Sequence, residues 1–254
     1  MLALTTLTRN RGWILPDFLE GLLRLDIDRD DAMLVILDDA STDDTPELLR
    51  SLQADYPLAF RGGIHVIWSD VPGGAPSSSR DAANRLELYR HLGALRNRVR
   101  ETILALGATE QFSVDSDILV SPGTVTALRA HRRELVGAAL YNDGGPLTWT
   151  GGRRGTNFGN LDLMGNYVSP IHLPDRLFAV QITGACALYS ERALASRARY
   201  GYHPMGEDVA YCLGLLAEGI YPYADTTARV VHVMRPDQRE AACALVQTLT
   251  PPCQ

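Results

Sequence analysis

Residues 33–45 read Met33–Leu34–Val35–Ile36–Leu37–Asp38–Asp39–Ala40–Ser41–Thr42–Asp43–Asp44–Thr45. An unbroken apolar run gives way at once to acids and hydroxyls. A short, branched, continuous apolar stretch bounded by a turn signal predicts a strand buried on both faces. The polar residues carry the chain past the end of that strand. Thr45–Pro46–Glu47 then opens a helix, with proline suited to the first helical position.

The same alternation extends outward. Residues 2–7 form a short apolar run with threonines, a buried strand. Ile14, Leu15, Phe18, Leu19, Leu22 and Leu23 fall at the spacing of one apolar helix face. Ile64 to Trp68 is a third strand, followed by a breaker-rich loop at 71–79. Residues 80–106 read as one long helix or two joined near Gly93. Phe112 to Val114 is a strand, Pro122 to His131 a helix and Leu135 to Leu140 another strand. Val180 to Tyr189 reads as a strand, Gly206 to Glu218 as a helix, Arg229 to Val233 as a final strand, and the tail 236–254 adds a helix before Pro251. Strand and helix alternating at short intervals predict βαβ units: an α/β fold with a mainly parallel twisted sheet flanked by helices. Ligands bind beyond the carboxyl ends of such strands. The polar clusters at 8–11, 38–43 and 115–117 all follow strands, so they line one edge. Residues 142–166 break the pattern with seven glycines, Trp149, Arg153 and Arg154. A loop of that length is expected to be functional or disordered. No repeat or domain boundary is visible; the reading is one domain, 1–254, in two halves.

Composition narrows the function classes. The chain has 254 residues, 46% hydrophobic and 21% charged, ordinary for a globular protein. All 24 basic residues are arginine. Without lysine there is no Walker lysine, Schiff-base lysine or kinase strand lysine, so arginine must do any cationic phosphate work. A net charge of −6 disfavours a nucleic-acid partner. No apolar run reaches about 18 residues, so no transmembrane segment is expected; a membrane-bound acceptor would require peripheral contact. Cys186, Cys212, Cys243 and Cys253 form no CxxC pair, which fits a reduced, cytoplasmic setting.

Asp115–Ser116–Asp117 at a strand end is the strongest chemical feature. Alternate residues of a strand share a side, so an extended backbone would aim both carboxylates at one ligand. Two carboxylates with phosphate oxygens and water suit Mg²⁺ or Mn²⁺.

In this context the chain resembles nucleotide-sugar-dependent glycosyltransferases of the GT-A fold, the family-2 type in particular, from about Leu2 to His232. Five ordered pieces carry the resemblance. Leu7–Thr8–Arg9–Asn10–Arg11 is similar to the segment after the first strand, although Leu7 and Arg9 depart from the usual P-T-Y-N-R. Residues 37–45 are close to D-D-x-S-x-D-x-T. Leu95–Arg96–Asn97–Arg98 resembles A-R-N-x-G without its glycine. Asp115–Ser116–Asp117 is the DxD, and Gly206–Glu207–Asp208 resembles the acidic pair opening an acceptor-side helix.

The resemblance implies roles residue by residue. Thr6, Thr8 and Arg9, with Asp38 or Asp39, would hold nucleobase and ribose. Arg96 would approach the base or phosphates. Asp117 would bind the metal directly, with Asp115 on ribose or metal and Ser116 beside the nucleotide sugar, and His232 would complete the metal shell. Asp208 would be the general base of an inverting transfer, with Glu207 the alternative. Gly184, in a small-residue strand, would let the donor sugar approach, and loop 142–166 would close as a lid. Residues 1–120 would bind the nucleotide sugar, 121–235 the acceptor, and 236–254 form a tail. The implied activity is metal-dependent transfer from a UDP- or GDP-sugar to an unknown acceptor. A nucleotidyltransferase and a non-catalytic nucleotide-sugar binding protein are the alternatives. His65, His91 and His131 read as surface or packing residues; His172 and His203 are unassigned.

Overall fold

The computed structural model describes residues 1–69, 82–142, 158–161, 167–168 and 177–249; at 82, 141, 142, 158–161 and 167–168 it describes the main chain alone. Loop 71–79, Trp149, Arg153, Arg154, His172 and Cys253 lie outside the described residues.

In chain order the strands are β1 (Leu2–Thr8), β2 (Ala32–Asp38), β3 (Ile64–Trp68), β4 (Glu110–Val114), β5 (Ile118–Leu119), β6 (Leu135–Asn142), β7 (Phe158–Leu161), β8 (Tyr167–Val168), β9 (Leu177–Ala179), β10 (Ile182–Thr183), β11 (Cys186–Tyr189) and β12 (Pro222–His232). The helices are α1 (Leu15–Leu23), α2 (Thr45–Asp55), α3 (Ala82–Ala105), α4 (Thr124–Ala130), α5 (Glu191–Ala195), α6 (Glu207–Ala217) and α7 (Arg239–Thr248).

Among the described residues nine strands make one sheet in the order β3-β2-β1-β4-β11-β6-β12-β5, with β9 also paired to β12. β3, β2, β1, β4, β6 and β12 run one way; β11, β5 and β9 run against them. The sheet is therefore mainly parallel, as expected. A smaller sheet joins β10, β7 and β8.

The two-residue period of the strands explains the continuous apolar runs. Leu2, Leu4, Ala32, Leu34 and Ile36 point to one face, where Phe18 of α1, Leu49 of α2, Leu128 of α4 and Ala242 of α7 pack. Ala3, Met33, Val35 and Leu37 point to the other, against Leu95, Val99 and Ile103 of α3 and Tyr211, Cys212 and Leu215 of α6. Both faces are covered, which is why β2 is buried along its whole length.

Three sequence expectations need correction. Residues 180–189 are not one strand. The chain breaks at Gly184–Ala185, where Ala185 has φ +61°, so β10 pairs with β7 and β11 enters the main sheet. The last strand begins at Pro222, not Arg229. Its polar start reads as a loop, yet the buried Asp225 accepts from the Thr227 N–H (2.8 Å), the Thr227 hydroxyl (2.6 Å) and His131 Nε2 (2.7 Å). Those bonds satisfy the irregularity between Asp225 and Arg229. Phe158–Leu161, inside the expected loop, is a strand. Residues 82–105 form one helix, with Gly93 passing close under Tyr200 and Gly201 rather than joining two helices.

β6 is closely covered at its centre. A Cβ added at Gly137 would stand 1.8 Å from the hydroxyl of Thr183, itself fully buried. Gly137→Val is expected to lower stability by about 1–3 kcal/mol through overpacking, read as a lowered urea midpoint with an unchanged m value.

Candidate active site

Parallel β1, β2 and β4 bring Thr8, Asp38 and Val114 to the same edge of the sheet. β12 runs the same way and delivers His232 there. β11 runs against β4 and starts opposite Val114, so Gly184 lies at that edge too. One edge thus collects residues from both ends of the chain.

The acidic turn after β2 is largely a fastening. The Asp38 carboxylate accepts from the Ser41 N–H (3.1 Å) and hydroxyl (2.5 Å). Ser41 Oγ accepts the Asn10 N–H, and Asn10 Oδ1 accepts the Thr42 N–H. Asp43 accepts the Gly12 and Thr45 N–H groups, which outweigh burial and hold its carboxyl below the ordinary range. The segment 9–12 is thereby tied to the turn, with Asn10 and Ala40 both at φ +51°. Asp39 differs. His91 Nε2 lies 2.8 Å from its Oδ1, and Arg9 Nη1 3.5 Å from its Oδ2. His91 is therefore not a mere packing residue; it sits on α3, and nothing local in sequence marks its reach to Asp39. Thr6 donates to the Leu7 carbonyl, and Thr8 Oγ1 is buried without a hydrogen-bond partner.

The DxD is a turn rather than an extended pair. The Ile118 N–H bonds the Asp115 carbonyl and the Asp115 N–H bonds the Ala185 carbonyl. The two carboxylates consequently take different partners. Asp115 accepts from Arg96 Nη2 at 3.0 Å; Asp117 accepts from Arg11 Nη2 at 2.9 Å and lies 3.5 Å from His232 Nε2. Ser116 is buried between them. Burial pushes the Asp117 carboxyl up, but His232 and Arg11 outweigh it and hold it below its ordinary value. Burial depresses His232, and Asp117 more than reverses that. Arg11 belongs to the polar cluster legible in sequence, but its partner was not.

Arg96 is the centre of the second group. Its Nε donates to Glu207 Oε1 at 2.9 Å, and Asp208 Oδ1 lies 3.8 Å away. Its side chain is 12% exposed, so three carboxylates surround a nearly buried cation. Glu207 is 8% exposed and committed to Arg96, whereas Asp208 is 25% exposed and held more loosely. Burial raises Asp208 to about 7, against the pull of Arg96 and with the push of Glu207 and Asp115. Burial likewise raises Asp115. Gly184 has an unforeseen neighbour here: an added Cβ would meet Asp208 Oδ2 at 2.2 Å. The missing side chain makes room for that carboxylate.

Two groups thus stand side by side, a carboxylate–imidazole pair with Arg11 and an arginine holding three carboxylates. Asp117 and His232 offer an oxygen and a nitrogen donor that fit a divalent cation, Mn²⁺ better than Mg²⁺ because imidazole is a donor. Among the described residues no three such side chains form a ready metal cluster. A cation there would complete its shell with phosphate oxygens and water.

No protein-family model and no curated protein matches the chain. Solved structures do. GalNAc-T7 with UDP, GalNAc and Mn²⁺ superposes with a TM-score of 0.60 at 13% identity, over 92% of this chain and 44% of that one. S. aureus TarS in complex with UDP gives 0.55 at 14% identity, over 100% and 67%. The mannosyltransferase PcManGT from Pyrobaculum calidifontis, in complex with GDP-Man and Mn²⁺, gives 0.52 at 15%, over 92% and 57%. The chain thus spans 44% to 67% of the length of these three structures. What the likeness establishes is architecture: this chain has the GT-A fold of nucleotide-sugar glycosyltransferases.

Proposed function

We propose that the chain is a glycosyltransferase moving a sugar from a UDP- or GDP-sugar to an acceptor hydroxyl, with inversion at the anomeric carbon. One observation carries this reading: Arg96 binds at once the acid after β4 and the two acids that open α6. The first follows a strand of the half that would bind the nucleotide, and the others open a helix of the half that would bind the acceptor. Donor and acceptor would meet across that arginine, the donor half being about 1–120 and the acceptor half about 121–235.

The roles follow from the contacts. Asp39, rather than Asp38, whose two oxygens both hold Ser41, would receive the nucleobase or ribose, with Arg9 and Thr8 beside it. Asp117 and His232 would hold a divalent cation, with Asp115 and Arg11 adjoining; the cation would neutralise the diphosphate leaving group. Asp208 would take the proton of the acceptor hydroxyl. As that oxygen bonds to the anomeric carbon, the bond to the diphosphate oxygen breaks and its electron pair leaves with the nucleotide. A base poised near 7 suits that work at neutral pH, and its place at the first turn of α6 steadies the carboxylate. Glu207, bonded to Arg96, would align rather than abstract. Among the described residues no helix is long and apolar enough to cross a membrane, and Cys186 and Cys212 are buried free thiols; a reducing, cytoplasmic setting is part of the proposal.

Donor turnover with UDP-GlcNAc and GDP-mannose, water serving as acceptor, tests the base. Turnover should rise with pH through about 7 as Asp208 loses its proton. Asp208→Asn is expected to lower it by on the order of 10²–10⁴-fold while leaving nucleotide affinity unchanged. Near-normal turnover would remove Asp208 as base, and nucleotide binding without turnover in the wild type would favour a non-catalytic binder. The same variant has a stability signature. A carboxyl raised by burial favours folding at low pH, and that contribution is lost as pH climbs from 3.8 to about 7. Relative to wild type, Asp208→Asn should therefore melt higher at pH 8 than at pH 4.

Asp117→Ala is expected to abolish the gain in UDP or GDP affinity brought by Mn²⁺. Titration calorimetry with and without the ion checks it; an undiminished metal dependence would sink the assignment.

A further inference from the structure

Arg96 and Arg100 stand one turn apart on the same face of α3, where like charges repel. Two aromatic rings lie between them. Tyr200 and Tyr211 stack with centroids 4.2 Å apart and planes 15° from parallel. The Arg96 guanidinium lies 5.8 Å from the Tyr200 ring centroid, and the Arg100 guanidinium 5.8 Å from that of Tyr211. Each ring offers its negative face to a cation.

Everything around the stack is fixed. The Tyr200 hydroxyl donates to Tyr189 Oη at 3.3 Å, and the Tyr211 hydroxyl to the Ala193 carbonyl at 3.3 Å. Asn97 grips the Tyr200 main chain twice, donating to its carbonyl at 2.8 Å and accepting its N–H at 3.0 Å. Arg100 is 2% exposed and donates to the carbonyls of Leu194 and Ser196. Among the described residues no carboxylate lies in ion-pair range of it, and its Nε has no hydrogen-bond partner. A buried cation so placed costs stability unless something compensates, and Tyr211 is what it has in addition to those carbonyls.

We infer that Tyr200 and Tyr211 are positioning residues: their stack, braced by Arg100 and Asn97, presses the Arg96 guanidinium against Asp115, Glu207 and Asp208. The inference rests on the glycosyltransferase reading only for its catalytic consequence; the placement of Arg96 stands on its own. With a ring on one side and carboxylates on the other, Arg96 cannot swing away when ligands bind. Its distance from Asp208 then sets how readily that acid gives up its proton. Among the described residues the groups facing Asp208 are Arg96 from α3, Glu207 from its own helix, Asp115 from the turn after β4, Tyr189 from β11, Tyr200, and Cys212 one turn along α6. Arg96 alone among them is a cation.

The test is a ¹³C NMR titration of aspartate-labelled full chain, with the Asp208 resonance identified by its loss in Asp208→Asn. Tyr200→Phe keeps the ring and should titrate as wild type. Tyr200→Leu removes it, frees Arg96 and should raise the Asp208 midpoint by about one unit. Asn97→Ala loosens Tyr200 without touching the rings and should shift the midpoint the same way by less; it carries the test if Tyr200→Leu does not fold. Folded variants with the wild-type midpoint overturn the positioning role. A wild-type midpoint in the ordinary carboxylate range overturns the poised base instead, and leaves the positioning role standing if the variants still shift it.

Discussion

A guanidinium almost out of water cannot shed its proton and must be ringed by acceptors. At Arg96 that requirement is met by three carboxylates, from the turn after β4 and from the first turn of α6. Burial works against the charge of Arg96, yet Asp208, Asp115 and Glu207 more than restore it. The excess of negative charge then falls on the least firmly held member. Glu207 is bonded directly; burial raises both Asp115 and Asp208, and Asp208, farther from Arg96 and over the bare backbone of Gly184, reaches about 7. Reactivity at this edge therefore follows from a packing constraint.

The second constraint is on the backbone. Among the described residues, three of the four non-glycine residues with left-handed φ, Asn10, Ala40 and Ala185, lie in segments that border the site. Such conformations cost on the order of 1–3 kcal/mol each and persist only where the surroundings over-determine them. Here the surroundings are visible. Asn10 and Ala40 lie in the mutually bonded segments 9–12 and 38–45. The carbonyl of Ala185 takes the N–H of Asp115, and the Ile118 N–H closes on the Asp115 carbonyl, which turns the acidic triplet out of strand geometry. The triplet then sends one carboxylate to Arg96 and the other to Arg11 and His232. A turn closed by one backbone hydrogen bond thus separates what an extended chain would have aimed together.

Much of this was legible in the chain itself. Strands read at 2–7, 33–37, 64–68 and 112–114 and helices read at 14–25, from Thr45 and over 80–106 all have counterparts in the structure, because apolar periodicity and a proline at a helix start such as Pro46 are local signals. The edge that gathers the polar clusters follows from strand direction. Less legible were the irregular stretches. β12 hid behind Asp225 and its threonines, whose polarity is satisfied only by bonds that form on folding. The break at Gly184–Ala185 left no mark in an otherwise strand-like run.

The α/β architecture, the candidate acids and the absence of lysine chemistry can be read from the chain alone, since composition and periodicity need no partner. How those acids divide is set by folding. It spent Asp38 on a turn and paired Asp39 with His91, fifty-two residues away. It gave Asp117 to Arg11 and stacked two tyrosines, from a loop and from α6, behind Arg96. Such pairings depend on which helix crosses which strand, and no local pattern encodes a crossing.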